Sequence, residues 1–206
     1  MTTQAAFWDK IAPKYAMKPI ANPDAYAQTM ARTRSYLSDD DIVMELGCGT
    51  GSTAVLLAPN VGRIVGTDIS GGMIDEARDR IGPNLPNVSF HEGTGFEDAF
   101  KTTDYDAVLA FNLLHLIEDL PAYLSNAHSL MKPGGVFISK SGCLGRIALH
   151  WRTMIGVMRL VGKAPFVRFL SSEMLEDAIR DAGFEIIESD DHPARSINHF
   201  IVARKV

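Results

Sequence analysis

The sequence predicts one α/β domain in three layers: a mostly parallel, seven-stranded sheet with helices on both faces and an antiparallel last strand. Short apolar runs at 42–46, 63–68, 88–91, 105–111, 134–140, 184–189 and 197–204 alternate with helical stretches, the pattern of strand-helix-strand units. The last two runs lie seven residues apart, too close for a helical crossover, so that pair is expected to be antiparallel. With 206 residues and 46% hydrophobic content, the chain can bury one sizeable core and is short for two domains.

Residues 1–37 read as a helical cap. Two helices break around Lys18-Pro19-Ile20-Ala21-Asn22-Pro23, because proline disfavours helix at the residue before it. Trp8 and Tyr15 stand seven apart, on one helical face. The first strand then runs into the most informative stretch, Ile42-Val43-Met44-Glu45-Leu46-Gly47-Cys48-Gly49-Thr50-Gly51-Ser52-Thr53-Ala54. Glycine at every second position lets the backbone take positive φ and approach a ligand closely, and the residues after Gly51 can begin a helix. An ordinary tight turn of an α/β protein also uses such glycines. The spacing is G-x-G-x-G and departs from the G-x-G-x-x-G that seats a dinucleotide pyrophosphate, which counts against a nicotinamide or flavin oxidoreductase. The second strand, Arg63-Ile64-Val65-Gly66-Thr67-Asp68, ends in an acid where such sheets set a carboxylate against ribose hydroxyls, so Asp68 is the ribose candidate.

The third run leads to Glu92-Gly93-Thr94-Gly95-Phe96, and the fourth, Tyr105-Asp106-Ala107-Val108, continues into Asn112-Leu113-Leu114-His115. Ligands of open parallel sheets collect beyond the carboxyl ends of the strands, so an acceptor is expected near Asn112 and His115. His115 is either a general base for an acceptor hydroxyl or amine, or a packed structural residue within an apolar segment. The fifth run follows Leu130-Met131-Lys132-Pro133-Gly134-Gly135.

Taken in order, these four blocks resemble the class I S-adenosylmethionine-dependent methyltransferases, most closely the small-molecule group that includes quinone and lipid-headgroup enzymes. The resemblance covers most of the chain and implies a Rossmann-like three-layer sandwich. It implies that Gly47, Cys48, Gly49 and Gly51 lie under the methionine part of S-adenosylmethionine, that Glu45 orients its amino group, and that Asp68 holds the ribose. Ile69, Ser70 and Met73 would flank the adenine. In related enzymes a tyrosine closing a W-D-x-x-A-x-x-Y-like segment reaches the cofactor carboxylate, and Trp8-Asp9-Lys10-Ile11-Ala12-Pro13-Lys14-Tyr15 has that shape. One departure stands out. The family usually sets an acid after strand three to bond the adenine amino group, and here that place belongs to Thr94, followed by Gly95 and Phe96. The fourth-strand exit also lacks N-P-P-Y or D-P-P-Y, which argues against exocyclic amines of bases and protein amides as acceptors.

Residues 143–172 form an insertion between strands five and six, where the resembling family often places substrate-covering elements. Within it, 146–163 reads as a basic amphipathic helix, with Ile147, Trp151, Met154, Ile155, Met158 and Val161 on one face and Arg152, Arg159 and Lys163 on its flank. Three readings stay open: a lid over an apolar or anionic substrate, a core-facing helix, and a membrane-surface helix. Between Asp119 and Glu173 there is no acid but seven Lys and Arg, so this window carries +7 and the remainder −12, leaving the net −5.

A net charge of −5 argues against nucleic acid as a partner, which demands many phosphate contacts. Cys48 and Cys143 have no metal-ligand spacing, the fourth-strand exit does not cluster oxygen ligands, and no metal is expected. Neither a leader nor a membrane span is apparent, which leads to a cytoplasmic expectation. The activity expected is methyl transfer from S-adenosylmethionine to an O, N or C nucleophile of a small apolar or anionic metabolite. The alternatives are a lipid-headgroup enzyme at the membrane surface and a non-catalytic S-adenosylmethionine-binding protein.

Overall fold

The apolar runs become seven strands in one sheet, ordered β3-β2-β1-β4-β5-β7-β6. The computed structural model describes residues 4–81, 85–101, 104–145, 149–160, 164–191, 193 and 196–206. The strands are β1 Ile42–Leu46, β2 Arg63–Asp68, β3 Val88–Glu92, β4 Tyr105–Phe111, β5 Met131–Gly142, β6 Phe184–Asp191 and β7 Asn198–Lys205. The helices are α1 Gln4–Ala16, α2 Pro23–Arg34, α3 Ser52–Leu57, α4 Gly71–Arg80, α5 Asp98–Lys101, α6 Leu120–Ser129, α7 Leu149–Leu160 and α8 Ser172–Asp181. Strands β1 to β5 pair in parallel, and β7 inserts antiparallel between β5 and β6. The fifth strand is longer than its apolar run because pairing begins at Met131 and shifts register before resuming at Val136.

Central strands face helices on both sides, which explains why their sequences are apolar without alternation. Val43 and Met44 are adjacent, both fully buried, and belong to opposite cores. Met44 packs with Val108, Leu124, Phe137, Leu175 and Ile179, whereas Val43 packs with Leu57, Ile74, Leu109, Ile138 and Phe200. Truncating either core at one such residue costs about 2–5 kcal/mol.

Local chemistry starts the helices where the sheet needs them. The side chain of Asn22 accepts from Ala25 N–H and Pro23 fills the first turn of α2; Ser70, Asp119 and Ser171 cap α4, α6 and α8 in the same way. The two cap helices are fastened by side chains. Asp9 Oδ1 accepts from the Ser70 hydroxyl at 2.6 Å and Gly72 N–H at 3.1 Å, and Gln4 Nε2 donates to Leu116 O at 3.1 Å. On α2, Lys140 Nζ donates to Thr29 Oγ1 at 2.7 Å, and Arg32 and Tyr36 both donate to Glu188.

The insertion carries α7. Arg146, Ile147, Val161, Lys163 and also His192 lie outside the described residues, as do the side chains of His150, Trp151, Arg152 and Ile155. Of the described side chains, Met154 and Val157 are 43% and 60% exposed, and Arg159 bonds Glu118 while lying 4.7 Å over the Phe166 ring. Arg168 clasps the loop after β4: its backbone N–H donates to His115 O at 2.7 Å, Nε donates to Ile117 O at 3.2 Å, and the guanidinium also reaches Glu118 O. Part of the basic window therefore neutralises the loop that follows the fourth strand. Among the described residues, no helix is long and apolar enough to cross a membrane.

Candidate functional site

Beyond the carboxyl ends of β1, β2, β3 and β4 the strand-exit loops face the cap across a cavity of about 710 Å³, within the range of small-molecule sites. The glycine loop forms its floor. Gly47, Gly49 and Gly51 take φ of +64°, +53° and +73°, and Gly51 opens α3 with no side-chain cap of its own. Cys48 N–H donates to Thr67 O at 2.9 Å, which ties the loop to the neighbouring strand.

Glu45, the penultimate residue of β1, is 2% exposed, and its Oε2 has no hydrogen-bond partner. Burial raises its pKa to about 8, against bonds from Ala54 N–H and the Thr53 hydroxyl that favour the charged form. A buried carboxyl in the cavity lining, with one oxygen unpartnered, suits a ligand cation. Tyr26 of α2 lies beside it; burial lifts its pKa, Thr53 opposes this and Glu45 adds to it. Asp68 is the link between two loops: Oδ2 accepts from Gly49 N–H and Oδ1 from Ser70 N–H, both at 3.0 Å. Burial raises its pKa and those two bonds lower it.

Of the residues singled out in the sequence, Tyr15, Glu45, Gly47, Cys48, Gly49, Asp68, Ile69, Met73, Thr94 and Asn112 line this one cavity. Asn112 holds φ +54°, a strained geometry for a residue with a side chain, and its N–H donates to Lys140 O. Gly51, Ser70, Gly95, Phe96 and His115 have other places. A Cβ on Gly51 would meet the Phe90 ring at 2.5 Å, so it serves packing behind the loop. Ser70 caps α4 and bonds Asp9; Phe96 stacks edge-on against Tyr123 with ring centroids 4.7 Å apart. Gly95, at φ +86°, turns beside Leu46 and Thr67. His115 has a buried Nδ1 without a partner, and burial lowers its pKa, so its ring is neutral near pH 7.

Sequence reasoning missed Tyr26, Thr53, Arg80 and Tyr123, and the apolar wall of Ile20, Leu116 and Ile117. Tyr26 was foreshadowed by the Asn22-Pro23 helix start, which places it in the first turn of α2. Tyr123 shares the apolar stripe of α6 with Leu120, Leu124 and Ala127 and reads as core. Burial and the charges of Asp68 and Glu97 raise its phenol pKa.

One cluster elsewhere has the distances of a nucleophilic triad: Ser189 Oγ lies 2.9 Å from His199 Nε2, and His199 Nδ1 lies 2.8 Å from Asp191 Oδ1. Ser189 gives its proton to Glu176 at 2.6 Å, however, so the group straps α8 to β6 and β7.

Residues 43–135 match the family described as a methyltransferase domain. The demethylmenaquinone methyltransferase of Symbiobacterium thermophilum is 26% identical, over 89% of this chain and 84% of its own length. The polyketide synthase component of lovastatin nonaketide synthase from Aspergillus terreus is 31% identical over 55% of this chain, yet the chain spans only 4% of that protein. Among solved structures, the DhpI-SAH complex superposes with a TM-score of 0.75 at 21% identity, covering 98% of this chain and 95% of that one.

Proposed function

We propose that this chain, whose residues 43–135 match a methyltransferase domain, is a class I S-adenosylmethionine-dependent methyltransferase that methylates an O, N or C nucleophile of a small, apolar or anionic metabolite in the cytoplasm. The observation that carries the reading is a cavity whose floor is polar and backbone-built and whose opposite wall is apolar.

When bound, S-adenosylmethionine supplies a methyl carbon activated by its sulfonium. The residues fit it. The Glu45 carboxyl would receive the methionine amino group, with Tyr26 beside it, and Gly47, Cys48 and Gly49 would let the backbone come within contact distance. Asp68 receives the ribose hydroxyls, Ile69 and Met73 line the adenine, and Ser70 fixes the start of α4 that carries them. Thr94 sits at the adenine edge; Gly51, Gly95 and Phe96 act from behind, by shaping the floor and positioning Tyr123. Trp8, Tyr15, Ile20, Leu116 and Ile117 hold the acceptor body, and Asn112 stands where acceptor and methyl meet.

The described lining contains no histidine, and its acids, Glu45 and Asp68, lie at the cofactor end. Catalysis by alignment in an in-line displacement follows, on an acceptor acidic enough to ionise without a dedicated base. A lipid-bound version of the same reaction is favoured by Met17 at 79%, Ile20 at 49% and Val157 at 60% exposure on the cap and α7. Sedimentation with anionic vesicles that fails at high salt would select it.

The test is calorimetric titration with S-adenosylmethionine, S-adenosylhomocysteine and NADH, for the wild type and Asp68→Ala. The first two should bind, about tenfold or more weakly in the variant. Binding of NADH alone would overturn the reading, and tight cofactor binding without turnover across an acceptor panel would mark a binding protein.

A further inference from the structure

We propose that Glu97 and Thr94 form a two-residue reader of the adenine amino group, in which Glu97 holds the Thr94 hydroxyl proton so that the hydroxyl oxygen can only accept. The inference rests on the cofactor reading above and names the specificity element missing from it. Glu97 acts through Thr94 and is a positioning residue.

The geometry starts from the loop after β3. Glu97 folds back over it: Oε1 accepts from Thr94 N–H at 2.8 Å and from the Thr94 hydroxyl at 2.9 Å, while Oε2 accepts from Gly95 N–H at 2.9 Å. The fold-back is close, since a Cβ on Gly93 would meet Glu97 Oε1 at 2.8 Å. Burial pushes the Glu97 pKa up, but the bonds from Thr94 and Gly95 outweigh it and the net shift is downward. The carboxylate is therefore ionised at neutral pH and has no proton of its own to give.

A hydroxyl has one proton and two lone pairs. The Thr94 proton goes to Glu97, and Phe96 N–H occupies one lone pair at 3.2 Å. What remains is a single lone pair, on an exposed side chain that lines the cavity beside Gly93 and Ile69. Such an oxygen accepts from an exocyclic N–H and repels a carbonyl oxygen at the same place. Asp68 and Glu97 are the charges felt by the neighbouring Tyr123 phenol, so this end of the cavity is acceptor-rich. A 6-amino purine matches it and a 6-oxo purine does not.

The experiment compares binding of S-adenosylhomocysteine with its 6-oxo analogue, S-inosylhomocysteine, by calorimetry. Wild type, Thr94→Ser, Thr94→Val and Glu97→Ala are titrated, each checked for a native melting transition. Wild type and Thr94→Ser should prefer the amino ligand by about tenfold, the worth of one hydrogen bond against one repulsive contact. In Glu97→Ala the freed hydroxyl can rotate and donate to the 6-oxo group, so the preference should fall to about twofold or less. Thr94→Val should lose the preference by weakening the amino ligand alone. If Glu97→Ala weakens both ligands by the same factor, or changes neither, Glu97 only braces the loop and the proposal falls. Equal binding of both ligands by the wild type also overturns it while leaving the methyltransferase reading intact. No binding of S-adenosylhomocysteine by the wild type overturns both.

Discussion

The two walls of the cavity are built by different means. The strand-exit wall is held by the backbone: Asp68 accepts from Gly49 and Ser70 N–H, Cys48 N–H reaches Thr67 O, and Gly93 N–H reaches Asp68 O at 2.8 Å. The cap wall is held by a few side chains, Asp9 on Ser70 and Gln4 on Leu116, and presents Trp8, Tyr15 and Ile20 on helices or the turn between them. The first arrangement tolerates little change because every group in it is also a sheet or loop bond. The second can be rebuilt residue by residue, which suits a wall that meets different acceptors.

The largest effect should come from methyl groups added to the floor. A Cβ on Gly51 would meet Phe90 Cζ at 2.5 Å and Ala77 Cβ at 2.9 Å at φ +73°, so Gly51→Ala should cost about 3 kcal/mol or more in a urea melt. Gly49→Ala should cost only about 1 kcal/mol, because its Cβ meets nothing within 4 Å and pays for φ +53° alone. Yet that methyl stands on the cavity floor and should weaken S-adenosylhomocysteine at least tenfold by calorimetry. Unchanged ligand binding in Gly49→Ala would break the view that the backbone itself is the contact surface.

A second prediction concerns charge on the same wall. With the Glu45 pKa raised by burial from 4.5 to about 8, the folded protein keeps a proton that the unfolded chain has released between those values. Stability should therefore fall as pH rises through that window, by at most about 1.4 kcal/mol per unit, and Glu45→Gln should flatten the fall in denaturant melts. A bound ammonium reverses the balance by favouring the carboxylate. Titration of the cofactor at pH 7 in buffers of different ionisation enthalpy should then show release of about one proton, absent in Glu45→Gln. Equal proton release in both proteins would remove Glu45 from the ammonium site.

The same contrast explains what could be read from the sequence. Glu45, the alternate glycines and Asp68 were legible because a backbone-built site needs particular residue types at fixed spacing from strand ends. All seven strands were legible for a related reason: central strands buried on both faces leave uninterrupted apolar runs, as Val43 and Met44 do. Tyr26 and Tyr123 were not, because a helix residue enters a cavity by tertiary packing, and its spacing looks the same as for a core residue. Glu97 escaped for another reason: an acid three residues beyond Thr94 supplies its charge by folding back, which no strand-end spacing reveals.

The smallest effects should distinguish two phenols across the walls. The W-D-x-x-A-x-x-Y-like shape points to Tyr15 as the contact to the amino-acid end of the cofactor. Tyr15 is 46% exposed and stacks edge-on with Trp8 at 6.4 Å, while Tyr26 is the phenol whose ionisation Glu45 and Thr53 influence. Removing the hydroxyl at Tyr26 by Tyr26→Phe should therefore weaken S-adenosylhomocysteine by about threefold to tenfold, in line with one lost hydrogen bond. Tyr15→Phe should leave it within about twofold and show instead in the KM of the acceptor, as should Ile20→Ala. The opposite order, with Tyr15→Phe costing cofactor affinity and Tyr26→Phe neutral, would move the cap helix α1 into the cofactor site and erase the division between the two walls.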